Sequence, residues 1–285
     1  MTPALAVFAG LFGALVGSFL NVVIHRLPQG EPIGWSRSKC PSCGSMIRWH
    51  DNIPIVSYLV LLGRCRECRW RIPLRYPLVE ALTAAIFALA VARVVALGWA
   101  PAVLAWFVCA AFAAVLIAAS GIDFLHKILP DKLTLVVGPI VALVGAVGVP
   151  GIHGTAIFGH ELTPEIKPGL ASLIVGLVGA AVGGGIILTI RQLGTWLLKR
   201  EAMGLGDVKF MAMCGLLLGP GAVMLAIGCA MVGGAFIGVA IWAVTRNREI
   251  PFGPFLAAGA LAVLLYGGPI DHFVFEVYPR WVQGG

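Results

Sequence analysis

Long apolar runs, separated by short clusters of charge, set the pattern of the chain. They lie near 3–24, 77–98, 101–120, 133–150, 169–190, 208–219, 221–245 and 251–268. A helix needs about 20 largely apolar residues to cross a bilayer, so the pattern predicts an all-α, polytopic membrane protein with about eight transmembrane helices. The sixth run is short, and the Gly219-Pro220 pair that ends it predicts a half-helix or one arm of a hairpin. No basic residue precedes the first run and His25-Arg26 follow it, so it reads as a retained helix rather than a cleavable signal peptide. Three regions result: a first transmembrane helix over 1–24, a polar loop over 25–76, and a transmembrane bundle over 77–285.

Composition agrees with the pattern. Hydrophobic residues make up 59% of the chain and charged residues 12%, against about 25% charged in a soluble domain. The 37 glycines suit helices whose backbones pack closely. Charge then orients the spans. With the amino terminus outside, the inner segments are 25–76, 121–132, 191–209 and 246–250, and they hold 17 of the 20 lysines and arginines. Only Arg93, Lys167 and Arg280 fall elsewhere. The basic loops therefore face the cytoplasm and its anionic lipid. The net charge of +7 reflects this asymmetry, and no aromatic-interleaved basic groove points to nucleic acid.

The loop over 25–76 carries Cys40-Pro41-Ser42-Cys43 and Cys65-Arg66-Glu67-Cys68, two C-x-x-C pairs separated by 21 residues. Four thiolates presented as two tight pairs close a tetrahedral zinc site with no open position, so Cys40, Cys43, Cys65 and Cys68 predict structural zinc. Lys39, Arg64, Arg66 and Arg69 favour the thiolate form. Disulfides are the alternative, and a reducing cytoplasm disfavours them. Cys109, Cys214 and Cys229 lie singly inside apolar runs and read as small hydrophobes.

Acids at the edges of apolar runs are costly, so they mark function by default. Asp207 in Gly204-Leu205-Gly206-Asp207 and Asp123 in Gly121-Ile122-Asp123 both stand there, on the side that the charge count makes cytoplasmic. Two carboxyls that share a proton are the machinery of an aspartyl protease: one activates water while the other polarises the scissile carbonyl. Simpler roles compete. Asp207 could cap a helix starting at Val208, and Asp131 in Leu129-Pro130-Asp131 is the more persuasive cap. The residues alone leave open whether Asp123 or Asp131 is the partner of Asp207. A proton relay in a transporter is a rival use of the same acids, although no inverted repeat is evident. No His-Glu-x-x-His and no Gly-x-Ser-x-Gly is present. His126 reads as a solvated histidine; His153 and His160 fall on the outer side. Gly183-Gly184-Gly185 reads as a site of close packing or a kink.

These elements occur in an order that resembles the bacterial type IV prepilin peptidases. Gly17-Ser18-Phe19-Leu20-Asn21 through His25-Arg26-Leu27-Pro28 comes first, then the two C-x-x-C pairs and Tyr76-Pro77-Leu78-Val79-Glu80. Ile122-Asp123 with Leu129-Pro130-Asp131 follows, and Gly204-Leu205-Gly206-Asp207 comes last. The resemblance implies a catalytic dyad of Asp123 and Asp207, which selects Asp123 over Asp131, and a zinc-binding cytoplasmic loop. It also implies cleavage of the basic leader of prepilins or pseudopilins at the inner membrane. Methylation of the new amino terminus from S-adenosylmethionine would follow. Some relatives lack the cysteines or the second activity, and the full loop here implies both. The sequence names no methyl-donor site; Asn21, Arg26 and Glu80 flank the loop, where ordinary capping and salt bridging compete for them.

Overall fold

Each apolar run folds as helix through the residues described by this computed structural model, which are 2–34, 38–149, 156–157, 160–161, 169–199, 201, 203–245 and 251–273. Helix is what an apolar run must form in lipid, where no water satisfies its backbone N–H and C=O groups. The main helices are α1 (Thr2–Arg26), the short α2 (Val56–Val60), α3 (Arg75–Leu97), α4 (Ala102–His126), α5 (Gly138–Gly148), α6 (Leu170–Leu198), α7 (Leu205–Leu218), α8 (Pro220–Thr245) and α9 (Gly253–His272). A π-helical turn, Lys132–Val137, leads into α5. The strands are two residues each, Ala156–Ile157 against His160–Glu161. The segment 246–250, His153, Lys167 and Arg280 lie outside the described residues.

Among the described residues, five helices are long and apolar enough to cross a membrane: Pro3–Gln29, Arg75–Leu97, Ala102–His126, Leu170–Leu197 and Pro220–Ala240. The other three expected spans are shorter helices. Two are Lys132–Gly148 and Gly253–Gly267, and the third is α7, whose 14 residues reach only about 21 Å at 1.5 Å per residue. The hydrocarbon layer is about 30 Å thick.

The chain divides into two compact units, Met1–Ala92 and Arg93–Gly285. In the first, α1 and α3 cross closely because α1 presents glycine. A side chain at Gly13 would meet Thr83 O at 2.8 Å, and one at Gly17 would meet Glu80 Cα at 2.7 Å. Small residues at a crossing let helices associate without a hydrophobic driving force. In the loop, each C-x-x-C pair sits in a tight knuckle. Gly44 N–H donates to Cys40 O at 2.9 Å and Arg69 N–H to Cys65 O at 3.1 Å. The residue after each second cysteine is left-handed: Gly44 at φ 70° and Arg69 at φ 59°.

In the second unit α6 packs against α7, α8 against α9, and α4 against α5 and α9. Gly179 and Gly215 are in backbone contact between α6 and α7, and Gly183 faces Met211 O. The triple glycine thus serves close packing through Gly183 and Gly184, while a Cβ added at Gly185 would meet nothing within 4 Å. Helix α7 is buried from Phe210 through Leu218 apart from Ala212, and this explains why its apolar residues show no single face. Cys109 and Cys214 are buried in the packing, as their isolation in apolar runs predicts. Arg93 lies over the Trp99 ring at 5.8 Å, a cation–π arrangement.

Candidate active site and metal centre

Asp123 lies in the last turn of α4 and Asp207 in the first turn of α7. Both are buried, at 8% and 9% exposure. The two elements bring them within electrostatic range, so that the charge of Asp123 acts on Asp207.

Each acid is held by backbone. Asp123 Oδ2 accepts the Gly253 N–H at 3.0 Å, at the amino terminus of α9, where the helix dipole favours negative charge. Gly253 escaped the sequence reading. Its neighbours Phe252 and Pro254 hint at a helix start, but nothing local says that a carboxylate lies against it. A Cβ at Gly253 would stand 2.5 Å from Asp123 Oδ2 and 3.0 Å from Cγ. Gly253→Ala is therefore expected to displace the carboxylate and lower kcat by about 10²-fold, the scale of a 1 Å misplacement. Stability should fall by only about 1–3 kcal/mol. Cleavage assays beside a thermal melt check this, and normal turnover by folded G253A would refute it.

Asp207 does not cap a helix starting at Val208. The helix begins at Leu205, and Gly204 is its N-cap, so Asp207 is the third helical residue. From there its carboxylate reaches back to the Gly204 backbone, one half of a capping box. Asp131 makes no side-chain cap hydrogen bond. Its Oδ1 instead accepts from Lys209 Nζ at 2.7 Å. Beside that ion pair, Leu129 packs on Gly206, where an added Cβ would come within 3.0 Å. The Leu129-Pro130-Asp131 segment thus braces the start of α7. Arg191 braces the approach to it, donating Nε to Met203 O at 3.0 Å. His126 is exposed, as expected of a solvated histidine.

The Lys209 and Asp131 side chains are 36% and 62% exposed, and such a pair is worth at most about 1 kcal/mol. Lys209→Met is accordingly expected to lower kcat/KM less than about fivefold. A loss as deep as that of an Asp207 variant would instead give Lys209 a role at the reacting groups.

The candidate metal centre lies in the first unit. The Sγ atoms of Cys40, Cys43, Cys65 and Cys68 all fall within 4.8 Å of one another, and all four are free thiols. Cys40 and Cys68 are 3.8 Å apart. Tetrahedral zinc with bonds of about 2.3 Å places sulfurs about 3.8 Å from each other, so the donor set fits zinc. Without metal the thiols are unlike. Burial pushes Cys40 up to about 11, while hydrogen bonds from Ser45 bring Cys43 down to about 6. The Arg66 guanidinium, bonded to both Asp51 oxygens at 2.8 and 2.6 Å, ties the second knuckle to the segment before α2.

The chain is similar in sequence to known proteins. Residues 11–94, with all four cysteines, match the bacterial peptidase A24 N-terminal domain, and residues 110–239, with both aspartates, match the type IV leader peptidase family. A protein of Burkholderia pseudomallei named prepilin leader peptidase/N-methyltransferase is 37% identical over 92% of this chain and 85% of its own length. One of the same name from Aeromonas hydrophila is 34% identical over 92% and 91%. An Escherichia coli type 4 prepilin-like proteins leader peptide-processing enzyme is 34% identical over 92% and 94%. No solved structure matches the chain. With near full-length relatives above 30% identity and both halves matched in order, the chain belongs to the type IV leader peptidase family.

Proposed function

We propose that this protein removes the basic leader of type IV prepilins and pseudopilins and methylates the amino terminus so exposed. Asp123 and Asp207 form the catalytic dyad of the first reaction. The observation that carries this reading is the pair of buried carboxylates supplied by the ends of two helices, Asp123 in the last turn of α4 and Asp207 in the first turn of α7.

With one proton shared between them, the ionised carboxylate takes a proton from water as the oxygen attacks the scissile carbonyl. The protonated partner hydrogen-bonds to the carbonyl oxygen as charge develops there. When the tetrahedral intermediate collapses, the leaving amine takes a proton back from the dyad. No covalent intermediate forms. Gly253 N–H fixes the Asp123 carboxylate. Positions at helix ends suit cleavage at a membrane interface, and this counts against the proton relay of a transporter. The distribution of basic residues supports a cytoplasmic active site in an inner membrane protein. All eight apolar helices would then be membrane-inserted, with α7 enclosed by its neighbours.

In the second reaction the new amine first loses a proton to water. S-adenosylmethionine, when bound, would supply the methyl group to the nitrogen lone pair and keep the S–C electron pair on its sulfur. Zinc held by Cys40, Cys43, Cys65 and Cys68 is structural in this reading, since four thiolates leave no open position. Incubation of the detergent-solubilised protein with a prepilin and S-adenosylmethionine tests both activities. Mass spectrometry should show loss of the leader and then a gain of one CH2. An intact prepilin would overturn the first activity, and a cleaved but unmethylated product the second.

A further inference from the structure

Between α1, the start of α3 and the cysteine loop, the first unit encloses a cavity of about 790 Å³, within the size range of small-molecule sites. Its acids are not equivalent. Asp51 is bound bidentately by Arg66 and Glu67 lies 3.7 Å from Arg48, while Glu31 is exposed. Glu80 is 8% exposed and makes no ion pair among the described residues. Its hydrogen bonds come from neutral groups: Ile55 N–H at 2.7 Å and the Ser18 side chain. Glu80 thus brings to the cavity a buried carboxyl with no ion pair among the described residues, while Arg26, Lys39, Arg48 and Arg66 line other parts of it. Ionised, it would favour a cationic ligand at its own end, because an unpaired buried charge is costly.

Ile55 adds a second observation. It is a β-branched residue at φ 63°, ψ −51°, a region such residues avoid. Its N–H is captured by Glu80 and it lines the cavity. Strain of this kind collects at ligand clamps. Aromatic side chains of Tyr58, Trp70 and Tyr76 also line the cavity and provide flat apolar surface. Asn21 is fixed by its donation to Tyr76 O at 3.1 Å.

We propose that this cavity binds the methyl donor, with Glu80 as the anion that meets the positive charge of an adenosyl sulfonium and the aromatic residues flanking its adenine. The proposal rests on the reading that the chain transfers a methyl group. Glu80 acts on binding, and the sign of its charge makes it selective. The sulfonium donor is cationic at sulfur, whereas the product S-adenosylhomocysteine is a neutral thioether, so the site should release what it has used.

Glu80→Gln keeps an acceptor for Ile55 N–H and removes only the charge, so the test is equilibrium binding of both nucleosides to the full-length protein in detergent. Glu80→Gln is expected to weaken S-adenosylmethionine by about tenfold, the scale of one charge-assisted contact. It should weaken S-adenosylhomocysteine by less than about threefold. Zinc content and melting temperature report on folding. Ultraviolet cross-linking of radiolabelled donor to the wild-type protein, followed by peptide mapping, gives a readout that needs no variant; labelled peptides should fall within 15–80. Equal loss of both ligands, or label mapping elsewhere, would overturn the assignment even where wild-type protein methylates its product. Absence of any methylated product from wild-type protein would instead remove the reading on which it rests.

Discussion

Asp207→Asn and Asp123→Asn are each expected to reduce leader cleavage by about 10³-fold or more, within the range that a positioned acid or base contributes. Asparagine preserves shape and can still accept the Gly253 N–H, so what disappears is the proton inventory of the pair. Because neither acid works alone, the double variant should lose no more than either single one. Stability should move the other way. Each wild-type acid is buried beside a second acid, and a neutral amide there removes both the desolvation cost and the repulsion. The inactive variants should therefore melt at the same temperature as the wild type or higher, the usual trade of stability for activity at a strained site. Cleavage kinetics and a melt on the same preparations check both halves. Near-normal turnover in either single variant would remove that residue from the dyad.

Removal of zinc is expected to have the largest effect on the first unit. Purified protein should carry about one zinc ion per chain, and chelation or Cys40→Ser should remove it. Four-thiolate sites contribute about 10–16 kcal/mol of folding free energy in small domains. The loop has little to replace this: its regular structure is a few turns, the short α2 and two isolated bridges, Lys39 with Met46 and Arg64 with Arg71. Amide exchange across 38–71 should become fast on stripping and recover when zinc returns. Cys40 and Cys65 also line the cavity assigned to the methyl donor, so donor affinity should fall with the metal. Metal-free protein with a protected loop would show that the knuckles close without zinc.

The parts of this site that were legible in advance are those encoded by spacing. Two C-x-x-C pairs can close on one another wherever the intervening 21 residues lead, because each knuckle is built from its own local hydrogen bonds. Likewise an acid at the edge of an apolar run is conspicuous whatever it touches. The break after the sixth run was also visible from its Gly219-Pro220 end; Gly219 adopts φ 81° and α8 starts at Pro220. Helix starts were less legible: glycine is permissive enough that α7 begins at Leu205, inside its Gly-x-Gly, rather than after Asp207.

Amino-acid sequence by itself determined the helical membrane class, the asymmetry of basic residues, the four candidate metal-ligand cysteines and the candidate acids, all of which follow from composition, period and spacing. Family resemblance was needed to prefer Asp123 over Asp131. Tertiary structure decided the rest: that Asp131 is engaged with Lys209, that Gly253 holds Asp123 across 130 residues, and that Glu80 lies buried with no ion pair among the described residues. The reason is physical. A hydrogen bond or a desolvated charge depends on what another segment brings near, and local sequence carries no record of that neighbour.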